Sequence, residues 1–170
     1  NPPPRISEER LGMLNSIGLA NLGVKNFLID KIPIINSLET DVIINVAGSK
    51  IDDYIEILNI IEKTDGKHIG YEINVSCPNV KEGGVAFGND PDMSFRVVEI
   101  CRKNTNKPII TKLSPNQTDI AGNALRCIDA GSDGLAVINT VMGMAIDIEK
   151  KQPVIGNNQG GLSGCLLYTS

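Results

Sequence analysis

Tryptophan is missing from the 170 residues, and only three Tyr and three Phe are present. With so few rings, a base-stacking surface for single-stranded nucleic acid has little to be built from. Positive charge is also scarce: 16 Lys and Arg stand against 20 Asp and Glu, for a net charge of −4 and a pI near 5.0. No basic cluster offsets that balance, which argues against nucleic acid as the main partner. The single histidine, His68, rules out a three-histidine catalytic site, and the four cysteines (Cys77, Cys101, Cys127, Cys165) show neither CxxC spacing nor Cys/His pairing. No metal is therefore expected. Dispersed thiols fit a reducing cytoplasm better than a disulfide framework. No apolar run approaches the ~20 residues of a membrane span, and no signal-peptide pattern is visible. The chain opens at Asn1-Pro2-Pro3-Pro4 without an initiator Met, so an earlier segment carrying an address is left open.

What is present is an alternation of strand and helix. Residues 41–46 form a short β-branched run ended by Ala47-Gly48. Ser49 can cap a helix in which Tyr54, Ile57, Leu58 and Ile61 recur at helical spacing. A second strand is expected over 69–75, followed by a Gly-rich loop over 81–88. Asp90-Pro91 is a helix start, with proline at the first helical position, and that helix should reach about Lys103 with Val97 and Cys101 facing inward. Residues 108–113 read as a third strand. Thr118 or Asp119 then caps a helix with the apolar stripe Ala121, Ala124, Leu125 and Ile128, ending near Gly131. Residues 134–138 read as the fourth strand. Strands buried on both faces, each followed by a helix, predict a parallel sheet.

Such connections leave a doubly wound sheet or a (β/α)8 barrel. No GxGxxG follows the first strand, which lowers the dinucleotide-fold reading. A (β/α)8 TIM barrel is typically about 250 residues long, so four βα units predict a partial barrel. Residues 1–164 are read as that barrel domain and 165–170 as an unmatched tail. An open parallel sheet would have unpaired edges.

Polar groups of one kind recur where these strands end. Asn74-Val75-Ser76-Cys77-Pro78-Asn79 follows an apolar run that the Cys-Pro pair must stop. It gathers two carboxamides and one thiol at a strand's C-terminal end, where α/β folds place their chemistry. Asn45, Lys112, and Asn139 with Thr140 stand at the other strand ends, and Asn15 lies beside Gly12 and Gly18. Carboxamides donate and accept in a plane. Several converging on one point suit a flat heterocycle with imide and carboxylate groups better than a metal, which would call for His, Asp or Glu. Each residue also has a plainer reading. Cys77 can be a small buried hydrophobe, Lys112 a strand-end lysine reaching water, and the asparagines turn formers. Cys101 and Cys127 read as core, Cys165 as non-catalytic and His68 as an exposed loop residue. Gly160-Gly161-Leu162-Ser163-Gly164 reads as either an anion-binding backbone nest or a flexible turn.

Taken in order, six segments together resemble the catalytic subunit of class 1 dihydroorotate dehydrogenases, flavoprotein barrels of pyrimidine synthesis. They are Asn15-Ser16-Ile17-Gly18-Leu19, Asn45-Val46-Ala47-Gly48, Asn74 to Asn79, Lys112-Leu113-Ser114-Pro115-Asn116, Ile138-Asn139-Thr140 and Gly160 to Gly164. The cysteine at 77 fits class 1, and Gly83-Gly84-Val85-Ala86-Phe87-Gly88 with Asp90-Pro91 looks like class 1B, the NAD-linked subgroup. The resemblance implies that Cys77 is the base removing a proton from C5 of dihydroorotate while C6 passes a hydride to N5 of FMN. It implies substrate contacts from Asn15, Ser16, Ile17, Gly18, Leu19, Asn74, Asn79, Asn139 and Thr140. It implies FMN contacts from Asn45, Asn74, Lys112, Ile138 and Gly164, with Lys112 near N1/O2. It further implies a homodimer of catalytic subunits and a partner subunit carrying FAD and a 2Fe-2S cluster, in the cytoplasm and without membrane or nucleic acid.

The pattern also departs from the family. A Ser-Lys-Thr segment expected before Asn1 and the paired glycines expected after Gly164 are absent, and residues 165–170 do not match. The activity is accordingly assigned to the complete protein, and this piece is expected to bind FMN poorly. Two alternatives stand beside it. One is a related pyrimidine reductase, although dihydropyrimidine dehydrogenases usually carry histidine where this chain has Asn79. The other is an inactive truncated barrel.

Overall fold

The computed structural model describes residues 1–10, 12–76 and 89–165. In chain order the strands and helices are β1 (Ile6–Glu9), β2 (Gly12–Asn15), α1 (Gly23–Asp30), α2 (Ile32–Ser37), β3 (Ile43–Val46), α3 (Ile51–Ile61), β4 (Gly70–Asn74), α4 (Pro91–Asn104), β5 (Ile109–Lys112), α5 (Ile120–Asp129), β6 (Gly134–Ala136), β7 (Val141–Gly143), β8 (Ile146–Asp147), β9 (Gln152–Pro153) and β10 (Gly160–Gly164). They fall into two compact units.

The unit over Leu22–Asn139 is the expected α/β body: a parallel sheet in the order β3-β4-β5-β6. Its helices start where local chemistry dictates. The Asp90 carboxylate accepts from the backbone N–H groups of Asp92 (2.9 Å) and Met93 (3.3 Å), and Pro91 opens α4. Asp119, one of the two expected caps, accepts from Gly122 N–H at 2.8 Å. At α3 the expected Ser49 cap is replaced. Lys50 is the boundary residue, and Asp53 reaches back to accept from the N–H groups of Ser49 (2.7 Å) and Lys50 (3.1 Å). Carboxylates there satisfy orphan donors and complement the helix dipole.

Strand alternation sorts side chains between the two sheet faces. Ile44, Val46, Tyr71, Ile73 and Ile109 pack against Tyr54, Leu58 and Ile61 of α3, Val97 and Cys101 of α4, and Ile32 and Ile35 of α2. A second core joins Val98, Leu113, Cys127 and Ala130. The opposite face is not closed over as expected: Ile43 is 42% exposed, and Asn45, Glu72, Ile110 and Lys112 are half-buried or exposed. One face of this sheet is the buried, mostly apolar one, with Thr111 satisfied by Ser132 at 2.8 Å, while the other carries most of the polar side chains.

Three further expectations are corrected. On α5 the inward residues are Asn123 and Cys127, whereas Ala121, Leu125 and Ile128 are exposed. Asn123 tolerates burial because its Nδ2 donates to Gln117 Oε1 at 2.8 Å, a carboxamide satisfied in place. His68 is buried rather than looped into solvent, with Nε2 2.8 Å from the Tyr71 hydroxyl and the rings edge to face at 5.0 Å. The fourth strand stops at Ala136, and Val137 is already largely exposed.

The other unit comprises residues 1–21 and the described residues from Thr140 onward. It holds an antiparallel sheet, β1-β2-β10-β7, and a small ribbon of β8 with β9. The Gly160 to Gly164 run is neither a nest nor a turn but an inner strand, β10, paired on both sides. Its glycines are there for closeness. A Cβ at Gly160 would collide with the Asn15 carbonyl, and one at Gly161 with the Thr140 side chain. Among the described residues, no helix is long and apolar enough to cross a membrane.

Candidate functional site

The C-terminal edge of the parallel sheet carries the polar residues that the motifs singled out. Asn45 lies beside Glu72 in the register of β3 with β4, and Asn74 beside Lys112 in that of β4 with β5. By alternation, Glu72 and Asn74 share the face opposite Tyr71 and Ile73. Asn45 Nδ2 donates to Glu72 Oε1 at 2.5 Å, and the same oxygen lies 4.0 Å from Lys112 Nζ. Three adjacent strands thus contribute one connected polar row.

A second set of bonds fixes how Asn74 is turned. Its Oδ1 accepts from Ser76 Oγ (2.6 Å) and Ser76 N–H (3.2 Å), while Asn139 Nδ2 donates to Ser76 Oγ at 2.5 Å. The serine hydroxyl accepts from one asparagine and donates to the other, a chain in which each bond polarises the next. The backbone is held as well: Tyr54 OH donates to the Asn74 carbonyl at 3.0 Å and Asn139 N–H to the Leu113 carbonyl at 2.9 Å. With its oxygen engaged, Asn74 presents an amide nitrogen that has no partner among the described residues. Among the described residues Lys112 Nζ is met by Glu72, at the outer limit of an ion pair. An amide donor and a cation side by side at one sheet edge suit an acceptor-rich planar ring; no oxygen-ligand cage for a metal is formed by this row. Ile138, half-buried, leads into Asn139.

The remaining expected site residues lie in the antiparallel unit. Asn15 ends β2, and its Nδ2 donates to the Gly161 carbonyl at 3.3 Å. Thr140 stands against Gly161, so Asn15 and Thr140 converge on one strand of that unit. Ser16 is buried, its N–H donating to the Arg5 carbonyl at 2.8 Å and its Oγ without a hydrogen-bond partner among the described residues. Ile17 and Leu19 are exposed, Gly18 and Leu19 take left-handed backbone (φ 80° and 51°), and Gly164 ends β10. Cys77 and Asn79, together with the Gly-rich loop over 81–88, lie outside the described residues.

Two cysteines are accounted for as core. Burial pushes the Cys101 thiol up to about 12 and the Cys127 thiol up to about 11, so neither supplies a thiolate at neutral pH. Reading the sequence alone missed Glu72, Ser76 and Tyr54. A period-two count from Asn74 would have put Glu72 on the same face. That Asn45 and Lys112 flank it depends on register, which no local pattern carries.

A family profile described as dihydroorotate dehydrogenase matches residues 1–169. The dihydroorotate dehydrogenase B (NAD(+)) catalytic subunit of Geotalea uraniireducens (strain Rf4) is 47% identical over 164 residues, 96% of this chain and 53% of that protein. Its counterpart from Citrifermentans bemidjiense is 49% identical over the same shares. The chain spans about half the length of these curated relatives. Among solved structures, the carboxyl transferase domain of Rhizobium etli pyruvate carboxylase covers 58% of this chain and 16% of its own at 15% identity and a TM-score of 0.42, too slight a likeness to argue from. By its profile match, and with the motif asparagines and lysine gathered at one sheet edge, the chain belongs to the dihydroorotate dehydrogenase family.

Proposed function

We propose that the complete protein carrying this chain oxidises dihydroorotate to orotate in pyrimidine synthesis, as the NAD-linked form of the enzyme, in the cytoplasm. The carrying observation is the row Asn45, Glu72, Asn74 and Lys112 on one face of three parallel strands, at the C-terminal edge where barrels of this class hold their sites. The parallel sheet is read as an arc of a (β/α)8 barrel, with residues 1–164 as a single flavoprotein domain and 165–170 as a tail.

In this reading FMN, when bound, supplies the acceptor for the hydride leaving C6 of the substrate. The chain's own residues do the rest. Cys77, as thiolate, takes the C5 proton, and the C5=C6 double bond forms as that C–H bond and the C6–H bond break. Asn74 presents its amide nitrogen to ring acceptors, held in that orientation by Ser76 and Asn139. Lys112 places positive charge where negative charge gathers on the ring, with Asn45, Ile138 and Gly164 as further flavin contacts. Asn15, Ser16, Ile17, Gly18, Leu19, Asn74, Asn79, Asn139 and Thr140 form the substrate set. The "catalytic subunit" and "NAD(+)" in the relatives' names support a second subunit and the NAD link; in this reading the catalytic subunits pair as a homodimer and the second subunit carries FAD and a 2Fe-2S cluster.

The test is the complete protein's visible spectrum, followed by anaerobic addition of dihydroorotate. A flavin band that bleaches is expected; a folded, colourless protein refutes the assignment. Cys77→Ser should cut turnover at neutral pH by about 100-fold or more, the scale of a lost general base, and leave flavin binding nearly unchanged. Equal turnover would remove Cys77 from its role.

A further inference from the structure

We propose that Glu72 is a positioning residue for the flavin: one carboxylate that ties Asn45 and Lys112 into a fixed pair of contacts and holds down the electron affinity of the ring they meet. The inference rests on the flavin reading given above.

Glu72 occupies an unusual place. It sits mid-strand in β4, which is paired on both sides, where a carboxylate gains nothing from β-propensity and loses hydration. Its side chain is only 26% exposed, so it is not reaching for solvent. It is instead spent on two neighbours: one oxygen accepts from Asn45 Nδ2 at 2.5 Å across β3 and lies 4.0 Å from Lys112 Nζ across β5. These two partners are the residues whose motifs point to the cofactor. The Asn45 bond settles which end of that carboxamide faces outward, leaving its Oδ1 for the ligand.

The contact with Lys112 is different in kind. At 4.0 Å the ammonium is restrained by Coulomb attraction without being consumed as a donor, so its protons remain for a ring acceptor. A ring held by Lys112 would gain its electrons near this negative charge, which would oppose that gain. Removing it should make the bound flavin easier to reduce, while the tether on Asn45 governs affinity.

The two effects separate by variant. Glu72→Gln keeps an oxygen for Asn45 but removes the charge, so FMN affinity should change less than about threefold. The bound ring's reduced-to-oxidised ratio at a given potential should rise about tenfold, which for a two-electron couple is ~30 mV. Glu72→Ala removes both functions and should in addition weaken FMN binding about tenfold, as for one lost hydrogen bond to a charged group. The complete protein is titrated with FMN by fluorescence quenching, and its midpoint potential is read against dyes. In a Lys112→Met background the potential shift of Glu72→Gln should shrink by half or more, because Glu72 acts partly through that ammonium. Circular dichroism reports folding, and a merely structural glutamate would move the melting curve without moving the potential. If Glu72→Gln leaves the potential in place in a protein that binds FMN, the positioning role is overturned. If the unmodified protein takes up no FMN, it is the flavin reading itself that fails.

Discussion

Tyr71→Phe offers a sharp test of how the N-terminal side of the parallel sheet is held. Tyr71 is wholly buried, and its hydroxyl donates to Glu62 Oε1 at 2.6 Å and lies 2.8 Å from His68 Nε2. Thr105 Oγ1 donates to the same Glu62 oxygen at 2.8 Å, and Lys107 Nζ stands 3.4 Å from both carboxylate oxygens. Deleting the hydroxyl therefore removes one hydrogen bond to a charged group and takes the partner from a buried imidazole nitrogen. Hydrogen bonds of that kind contribute about 1.5–3 kcal/mol. With a urea m-value of about 2 kcal/mol/M, a ~2 kcal/mol loss moves the midpoint down by about 1 M at pH 7.

The pH dependence carries the finer test. Burial pushes Glu62 up, but the Tyr71 and Thr105 hydrogen bonds and the Lys107 charge outweigh it, so its folded pKa lies below the usual 4.5. Stability from ionised Glu62 is thus fully present above about 4.5 and is lost as pH falls through the lower folded value. His68 is lowered below 6.5 chiefly by burial and further by Lys107. Its neutral form is the one that folds, so stability also falls with acidification from about 6.5 downward. Tyr71 itself is pushed well above its ordinary range by burial and by Glu62, so it does not ionise anywhere in this window. Urea midpoints for the parent and Tyr71→Phe, followed from pH 7 downward until the parent has lost the Glu62 contribution, should therefore converge on the acid side. A deficit that is absent at pH 7, or that stays equally large throughout the acid titration, refutes the network as described.

Two further outcomes follow from the same geometry. Ser76→Ala removes the hydroxyl that donates to Asn74 Oδ1 and accepts from Asn139 Nδ2, leaving Asn74 Oδ1 with the Ser76 backbone N–H, so it should cost about 1–3 kcal/mol. FMN binding should weaken along with stability, and unchanged values of both would dismiss the Asn139–Ser76–Asn74 chain. Leu58→Ala on α3, with no exposed surface, should cost about 2–5 kcal/mol. Leu125→Glu on α5, 66% exposed, should stay within about ±0.5 kcal/mol in thermal melts. The reverse ranking would restore the apolar-stripe reading of α5.

Short-range signals account for much that was legible in the sequence. Asp90-Pro91 starts α4 where expected because a cap and a proline act within one turn, and Asp119 does the same for α5. The runs around Ile44, Ile73, Ile109 and Leu135 became parallel strands because β-branched clusters bounded by Gly, Pro and Asn leave few other options. The motif asparagines and Lys112 were likewise marked by their places at strand ends. Helices α1 and α2 and the short antiparallel strands went unread. The strands are two to five residues long; β1 with β2 and β8 with β9 are local ribbons, but β2 meets β10 far along the chain, where the Asn15 side chain donates to the Gly161 carbonyl across 146 positions. Which side of α5 turns inward, how His68 comes to lie under Tyr71, and why Glu72 falls between Asn45 and Lys112 were decided by tertiary structure alone. Periodicity says that residues share a face, whereas register and packing partner are set by contacts between segments that share no local pattern.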